Sequence, residues 1–204
     1  MSTSEKGTFV SDIEAIRRRA RQHIENGAVT DAYRGDRDTV IKVLNEALAT
    51  ELVCVLRYKR HHYAASGIHA QAVANEFLEH AKEEQEHADM LAERITQLGG
   101  DPDFNPETLA KRSHSEYVEG KNLSDMIRED LIAERIAIES YNEIIRYLSD
   151  NDPTSRRVME EILAKEEEHA EDLKTLIQTL AQAEENMGKE KDASDSGWPL
   201  RRAS

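Results

Sequence analysis

Six residues in two matched sets are of the types and spacings that bind metal ions. Glu51 precedes Glu84 by 33 residues, and Glu134 precedes Glu166 by 32. Each second glutamate opens a Glu-x-x-His motif, Glu84-Gln85-Glu86-His87 and Glu166-Glu167-Glu168-His169. Laying Glu84 over Glu166 also aligns Ala88 with Ala170, Leu91 with Leu173 and Ile95 with Ile177, so the chain carries an internal repeat. Residues three apart share a helix face, so each glutamate and its histidine converge on one point. Carboxylate oxygens mixed with imidazole nitrogens suit iron or manganese.

A lone Glu-x-x-His in a Glu-rich chain is ordinarily a solvated helix face. The neighbours on these faces argue otherwise. Glu51 shares its face with Leu44, Leu48, Val55 and Tyr58, and Glu84 with Phe77, Ala81 and Leu91, with His80 on the same side. Glu134 lies among Ile127, Leu131, Ile138 and Tyr141, and Glu166 among Met159, Ile162 and Leu173. All four carboxylates therefore interrupt apolar stripes, where an unpaired charge is heavily penalised. No lysine or arginine occupies a matching position on those stripes, whereas two divalent cations would balance four negative charges. Tyr58 and Tyr141 each follow the first glutamate of their half by seven residues. Tyr58 is the candidate for a redox or supporting role, Tyr141 reads as packing, and Cys54 reads as core.

Four long helical patterns must position these residues. The first spans about residues 38–65 and stops at Ser66-Gly67, and the second spans about 69–98 and stops at Gly99-Gly100. The third spans about 124–149, and Asp152-Pro153 supplies an N-cap and a first-turn proline for the fourth, expected to end near Glu185. Short links make each consecutive pair an antiparallel hairpin. The 23 residues from Gly99 to Lys121, with a helix-prone stretch at 106–111, must join the hairpins. A helix of ~28 residues is ~42 Å long, which such a linker can span. The expected fold is all-α, a four-helix bundle with one long crossover between helices two and three. Residues 36–182 would form the bundle. Residues 1–35 would be an extension with a short helix at 11–26, built on a Ser11/Glu14 capping box, an Ile13/Ile16/Ile24 stripe and Gly27 as terminator. Residues 183–204 read as a mobile polar tail whose Gly197-Trp198-Pro199-Leu200-Arg201-Arg202 resembles a docking peptide for a partner.

A net charge of −14 argues against general nucleic-acid binding. The run Arg17-Arg18-Arg19 with Arg21 reads as a solvated helix face, so DNA coating is not expected. Cys54 is the single cysteine, which excludes an intramolecular disulfide and points to a reducing compartment. The first thirty residues lack a signal-peptide pattern and no run of ~20 apolar residues occurs, so the expectation is a cytoplasmic chain without membrane contact.

At its metal-ligand motifs the chain resembles the bacterioferritins and related ferritin-like proteins, over about Thr39 to Leu180. The resemblance implies a di-iron ferroxidase site. Glu51 and His87 would be terminal ligands of one iron, Glu134 and His169 of the other, and Glu84 and Glu166 would bridge both. Tyr58 falls where the family has a tyrosine near this centre. It further implies Fe(II) oxidation by O2 or H2O2, iron storage as ferric mineral in a hollow homo-oligomer of twelve or twenty-four subunits, and oxidative-stress protection. Glu79 and Glu83 would face the inner surface and help nucleate mineral. Manganese suits the same ligands. Rubrerythrin-like peroxidases and manganese catalases share them and form the alternative class, although a rubredoxin domain would need cysteine pairs absent here. Bacterioferritins bind haem through a methionine directly after the first glutamate of the first motif; Gln85 stands at that position, so haem is not expected. The long crossover and the lack of a clear fifth helix lean toward the dodecameric, Dps-like miniferritins carrying a bacterioferritin-type site.

Overall fold

In the computed structural model, which describes residues 11–67 and 70–195, all regular structure among the described residues is helical. In chain order the helices are α1 (Ile13–Arg19), α2 (Arg37–Ala64), α3 (Ala70–Gln97), α4 (Leu109–Arg112), α5 (Leu123–Leu148) and α6 (Pro153–Asp195). Helix α2 packs along α3 and α5 along α6, and the two hairpins meet through α2–α5 and α3–α6. This is the expected four-helix bundle with its crossover between α3 and α5. The start of the second helix at His69 and the peptide at 197–202 lie outside the described residues.

Local chemistry sets the helix ends. Asn122 Oδ1 accepts from the Asp125 amide at 2.9 Å to cap α5. Asp152 caps α6, accepting from the Ser155 amide at 2.9 Å. Gly99, at φ +76, turns the chain out of α3 where a side chain would be strained.

The apolar faces meet in two layers. One contains Leu44, Leu48, Leu91, Ile95, Leu148, Met159 and Ile162; the other contains Tyr58, Phe77, Ile127 and Leu173. Along every bundle helix, the glutamate of interest falls between the residues feeding one layer and those feeding the other. Each fully buried side chain of this size contributes roughly 1.5–3 kcal/mol. The two layers thus clamp a polar zone whose position is fixed from both sides.

The crossover is laid along α2 and clipped to it at intervals. Asn45 accepts from the Asp103 amide at 2.8 Å and donates to the Asp101 carbonyl at 3.2 Å. Thr50 Oγ1 accepts from the His114 amide at 2.9 Å. Further along, Arg57 donates to the Glu116 carbonyl at 2.9 Å, and His61 Nε2 lies 3.0 Å from the Glu119 carbonyl. The helix expected within 106–111 is shorter and later, Leu109–Arg112, and buries Leu109 against α2.

Three expectations need correction. Helix α6 runs on to Asp195 rather than ending near Glu185, because Ala, Glu, Lys and Met, all good helix formers, make up most of residues 184–195 and no proline falls among them. The helix expected over 11–26 divides into α1 and a 3-10 turn at Ile24–Asn26, separated by His23 in the left-handed region. Asp12, not Ser11, caps α1, and Ile13, Ile16 and Ile24 are exposed, so their stripe forms no core. Finally, the N-terminal segment is more than an appendage: Val29 and Tyr33 pack on the first layer, and Tyr33 donates to Asp152 at 2.9 Å.

Candidate metal centre

Glu51, Glu84, His87, Glu134, Glu166 and His169 come together in the polar zone, each no more than 4% exposed. They form two overlapping groups, Glu51/Glu84/His87/Glu166 and Glu84/Glu134/Glu166/His169, with the candidate ligand atoms of each group within 4.8 Å of one another. Glu84 and Glu166 belong to both. His87 Nδ1 lies 2.9 Å from Glu166 Oε1 and 3.4 Å from both Glu51 and Glu84. His169 Nδ1 lies 3.3 Å from Glu84 and 3.8 Å from Glu166. The two halves of the repeat thus cross: each histidine reaches the shared glutamate of the other half.

The tyrosines cross in the same way. Tyr58 donates to Glu134 Oε1, and Tyr141 donates to Glu51 Oε1. Those bonds occupy one oxygen of each unshared glutamate. Left without a hydrogen-bond partner are Glu51 Oε2, Glu134 Oε2, both oxygens of Glu84, both of Glu166, and Nδ1 of each histidine. Buried polar atoms are nearly always bonded, so eight inward-facing orphans demand an explanation. They divide into two sets of four, each with one oxygen from an unshared glutamate, one nitrogen and one oxygen from each shared glutamate. That donor set fits two divalent cations.

Electrostatics point the same way. Burial, then the charges of Glu166 and Glu84, push Glu51 well above the ordinary carboxylate range. Glu134 rises from burial and the same two neighbours. Burial opposes protonation of His87 and His169, but the facing carboxylates overcome it and raise both. Without cations, the cluster must hold protons in their place.

Two buried arginines could have neutralised the glutamates, but their charges go elsewhere. Arg57 pairs with Asp130 at 2.8 Å and Arg94 with Asp152 at 3.0 Å. Cys54 packs in the core and accepts from Arg57 at 3.4 Å.

Three neighbours were under-read in the sequence. Tyr141 is the counterpart of Tyr58, and the register of the repeat already pairs them. Glu83, expected at a free acidic surface, accepts from His169 Nε2 at 2.8 Å and so orients its Nδ1 inward. His80 stacks on His169 with ring centroids 4.1 Å apart and places Nδ1 3.2 Å from the Tyr58 hydroxyl. Its burial, followed by the charge on His169, lowers its pKa to about 4. Only its apolar-face position announced it.

The chain belongs to the ferritin-like domain family, whose model matches residues 41–183. A bacterioferritin of Brucella melitensis is 34% identical over 153 residues, covering 74% of this chain and 90% of its own. A bacterioferritin of Desulfovibrio desulfuricans is 29% identical over 161 residues, covering 78% and 84%. Among solved structures, a dodecameric thioferritin, the bacterioferritin-related protein of Bacteroides fragilis, superposes with a TM-score of 0.72 at 31% identity, covering 75% of this chain and 92% of that one.

Proposed function

We propose that this protein is a ferroxidase that oxidises Fe(II) with O2 or H2O2 and stores Fe(III) in a hollow homo-oligomer. The observation that carries the reading is the pair of overlapping four-residue clusters sharing Glu84 and Glu166. Two Fe(II) ions as substrate balance four carboxylates. Each gives up one electron, and the pair delivers the two electrons that reduce O2 to H2O2, or H2O2 to two waters. Glu51 with His87, and Glu134 with His169, would hold one ion each, while Glu84 and Glu166 hold the ions side by side. Tyr58 and Tyr141 fix the unshared carboxylates in place.

An acidic opening leads toward this centre. Glu83, Glu86, Glu161 and Glu168, with Lys165 as the one cation among them, line a pocket that reaches His87, and the excess of carboxylates concentrates cations. A groove between α2 and α5, lined by Val43, Ile132, Ile136, Ile144 and Tyr147, leaves apolar surface for a second subunit. The dodecameric relative supports homo-oligomeric assembly; our reading is a cage of twelve or twenty-four subunits. No helix among the described residues is long and apolar enough to cross a membrane, consistent with a role in the cytoplasm.

Aerobic Fe(II) addition tests the proposal. Fe(II) should disappear with O2 or added H2O2, and ferric iron should co-migrate with the assembled particle on gel filtration. Peroxide turnover with no retained iron would assign the site to a rubrerythrin-like peroxidase or manganese catalase instead.

A further inference from the structure

We propose that Glu76, His80 and Asp172 form a third cation site, suited to a divalent first-row transition ion and separate from the six residues of the paired centre. One ligand atom from each lies within 4.8 Å of the others. His80 Nε2 is 3.6 Å from Glu76 Oε1 and 3.9 Å from Asp172 Oδ2, too long for hydrogen bonds. Two donors each ~2.1 Å from one ion in tetrahedral geometry stand about 3.4 Å apart, close to these separations.

The protonation pattern of His80 strengthens the case. The single proton of the Tyr58 hydroxyl is given to Glu134. The bond between His80 Nδ1 and that hydroxyl, at 3.2 Å, must then be donated by Nδ1. Nε2 makes no hydrogen bond, in a residue only 2% exposed, and faces two carboxylates. Two carboxylates and an imidazole nitrogen converge with no hydrogen bond joining them among the described residues, which is the donor set of a cation site.

The internal repeat supplies an independent comparison. The register that lays Glu84 over Glu166 places Val158 opposite Glu76, Ile162 opposite His80 and Met90 opposite Asp172. At that repeat-related location the three residues belong to the apolar layer, with Ile162 fully buried and Val158 and Met90 packed against it. The fold is therefore satisfied by hydrocarbon at this location. Only one of the two repeat-related locations carries three ligand-type side chains, two from α3 and one from α6, so packing does not require them.

The site stands between solvent and the paired centre. The side chains of Glu76 and Asp172 are 35% and 49% exposed, whereas His80 stacks on His169. We assign it as a staging position for Fe(II), a role that rests on the ferroxidase reading; the binding site itself does not.

The test uses the full-length assembled protein, Mn(II) as probe, and the variant E76Q/D172N, whose changes lie at partly exposed carboxylates. Equilibrium dialysis should give three ions per subunit for the parent and two for the variant. Anomalous diffraction at the manganese edge should place the lost ion among Glu76, His80 and Asp172. Initial Fe(II) oxidation by the variant should slow several-fold. The same ion count in both proteins, with no anomalous peak at these residues, overturns the site; a lost ion with an unchanged rate overturns the staging role. Failure of the ferroxidase reading is separately visible, as a parent protein that binds the ions but neither oxidises added Fe(II) nor retains ferric iron.

Discussion

A hydroxyl separates the two kinds of glutamate in the centre. Tyr141 and Tyr58 each take one oxygen of Glu51 and Glu134, leaving one free, whereas Glu84 and Glu166 keep both. Glu84→Gln should therefore reduce binding at both positions, while Glu51→Gln should cost one ion of the pair; metal content after dialysis reads the difference. Tyr141→Phe leaves a buried carboxylate oxygen without its donor, so the metal-free protein should lose about 1–3 kcal/mol in urea unfolding, as should Tyr58→Phe. A silent Tyr141→Phe beside a costly Tyr58→Phe would break the two-fold logic. Glu83→Gln weakens the acceptor that orients His169, and should lower metal affinity about 10–100-fold by dialysis. The six clustered residues were legible because type, spacing and repeat coincide. Glu83 was not, because a glutamate one position before a shared ligand looks like any solvated charge until the partner helix brings His169 Nε2 against it.

Helices α2 and α5 are tied together by charge as well as by hydrocarbon. Arg57 and Asp130 are each almost fully buried, and Arg57 also holds the Glu116 carbonyl of the crossover. His61 joins the same aspartate at 2.8 Å and reaches the crossover at Glu119. Arg57→Ala would leave Asp130 buried with His61 as its remaining partner and no permanent counter-charge, so it should cost about 3–5 kcal/mol in denaturant unfolding. It should also speed amide exchange in residues 113–120 while leaving α6 protected. The helix pattern made the bundle and its connectivity readable, since apolar periodicity over more than twenty residues leaves little ambiguity. What escaped was the path of the crossover. Asn45, Thr50, Arg57 and His61 bond a segment distant in sequence, and no local spacing rule encodes such bonds. The division of the expected 11–26 helix escaped for a related reason: its isoleucines have the right spacing but no surface of this chain to cover.

For the molecule as a whole, metal and proton compete for one dry volume, and this sets how stability depends on pH. Glu51 and Glu134 have folded-state pKa values raised above the ordinary 4.5, so the metal-free folded chain holds protons that the unfolded chain releases as pH rises past that value. His87 and His169 are raised above 6.5 and add to the same trend at higher pH. With more protons bound in the folded state, stability falls as pH rises. Glu84 and Glu166 are lowered and act in the opposite sense, but their contribution is lost only as pH falls through the acid range below 4.5; His80, lowered to about 4, also opposes the trend up to its ordinary 6.5, one group against the four that are raised. The metal-stripped protein should therefore show a melting temperature that declines from about pH 5 to pH 8. Bound cations replace the protons, so loading should release protons into weakly buffered solution and should strengthen as pH rises. The loaded protein should keep its melting temperature across the range in which the stripped protein loses it. Calorimetry of the two forms at matched pH, with proton release followed by an indicator dye, checks both halves of the argument. A stripped protein that gains stability from pH 5 to pH 8 would mean that the carboxylates are not held against one another as the geometry requires.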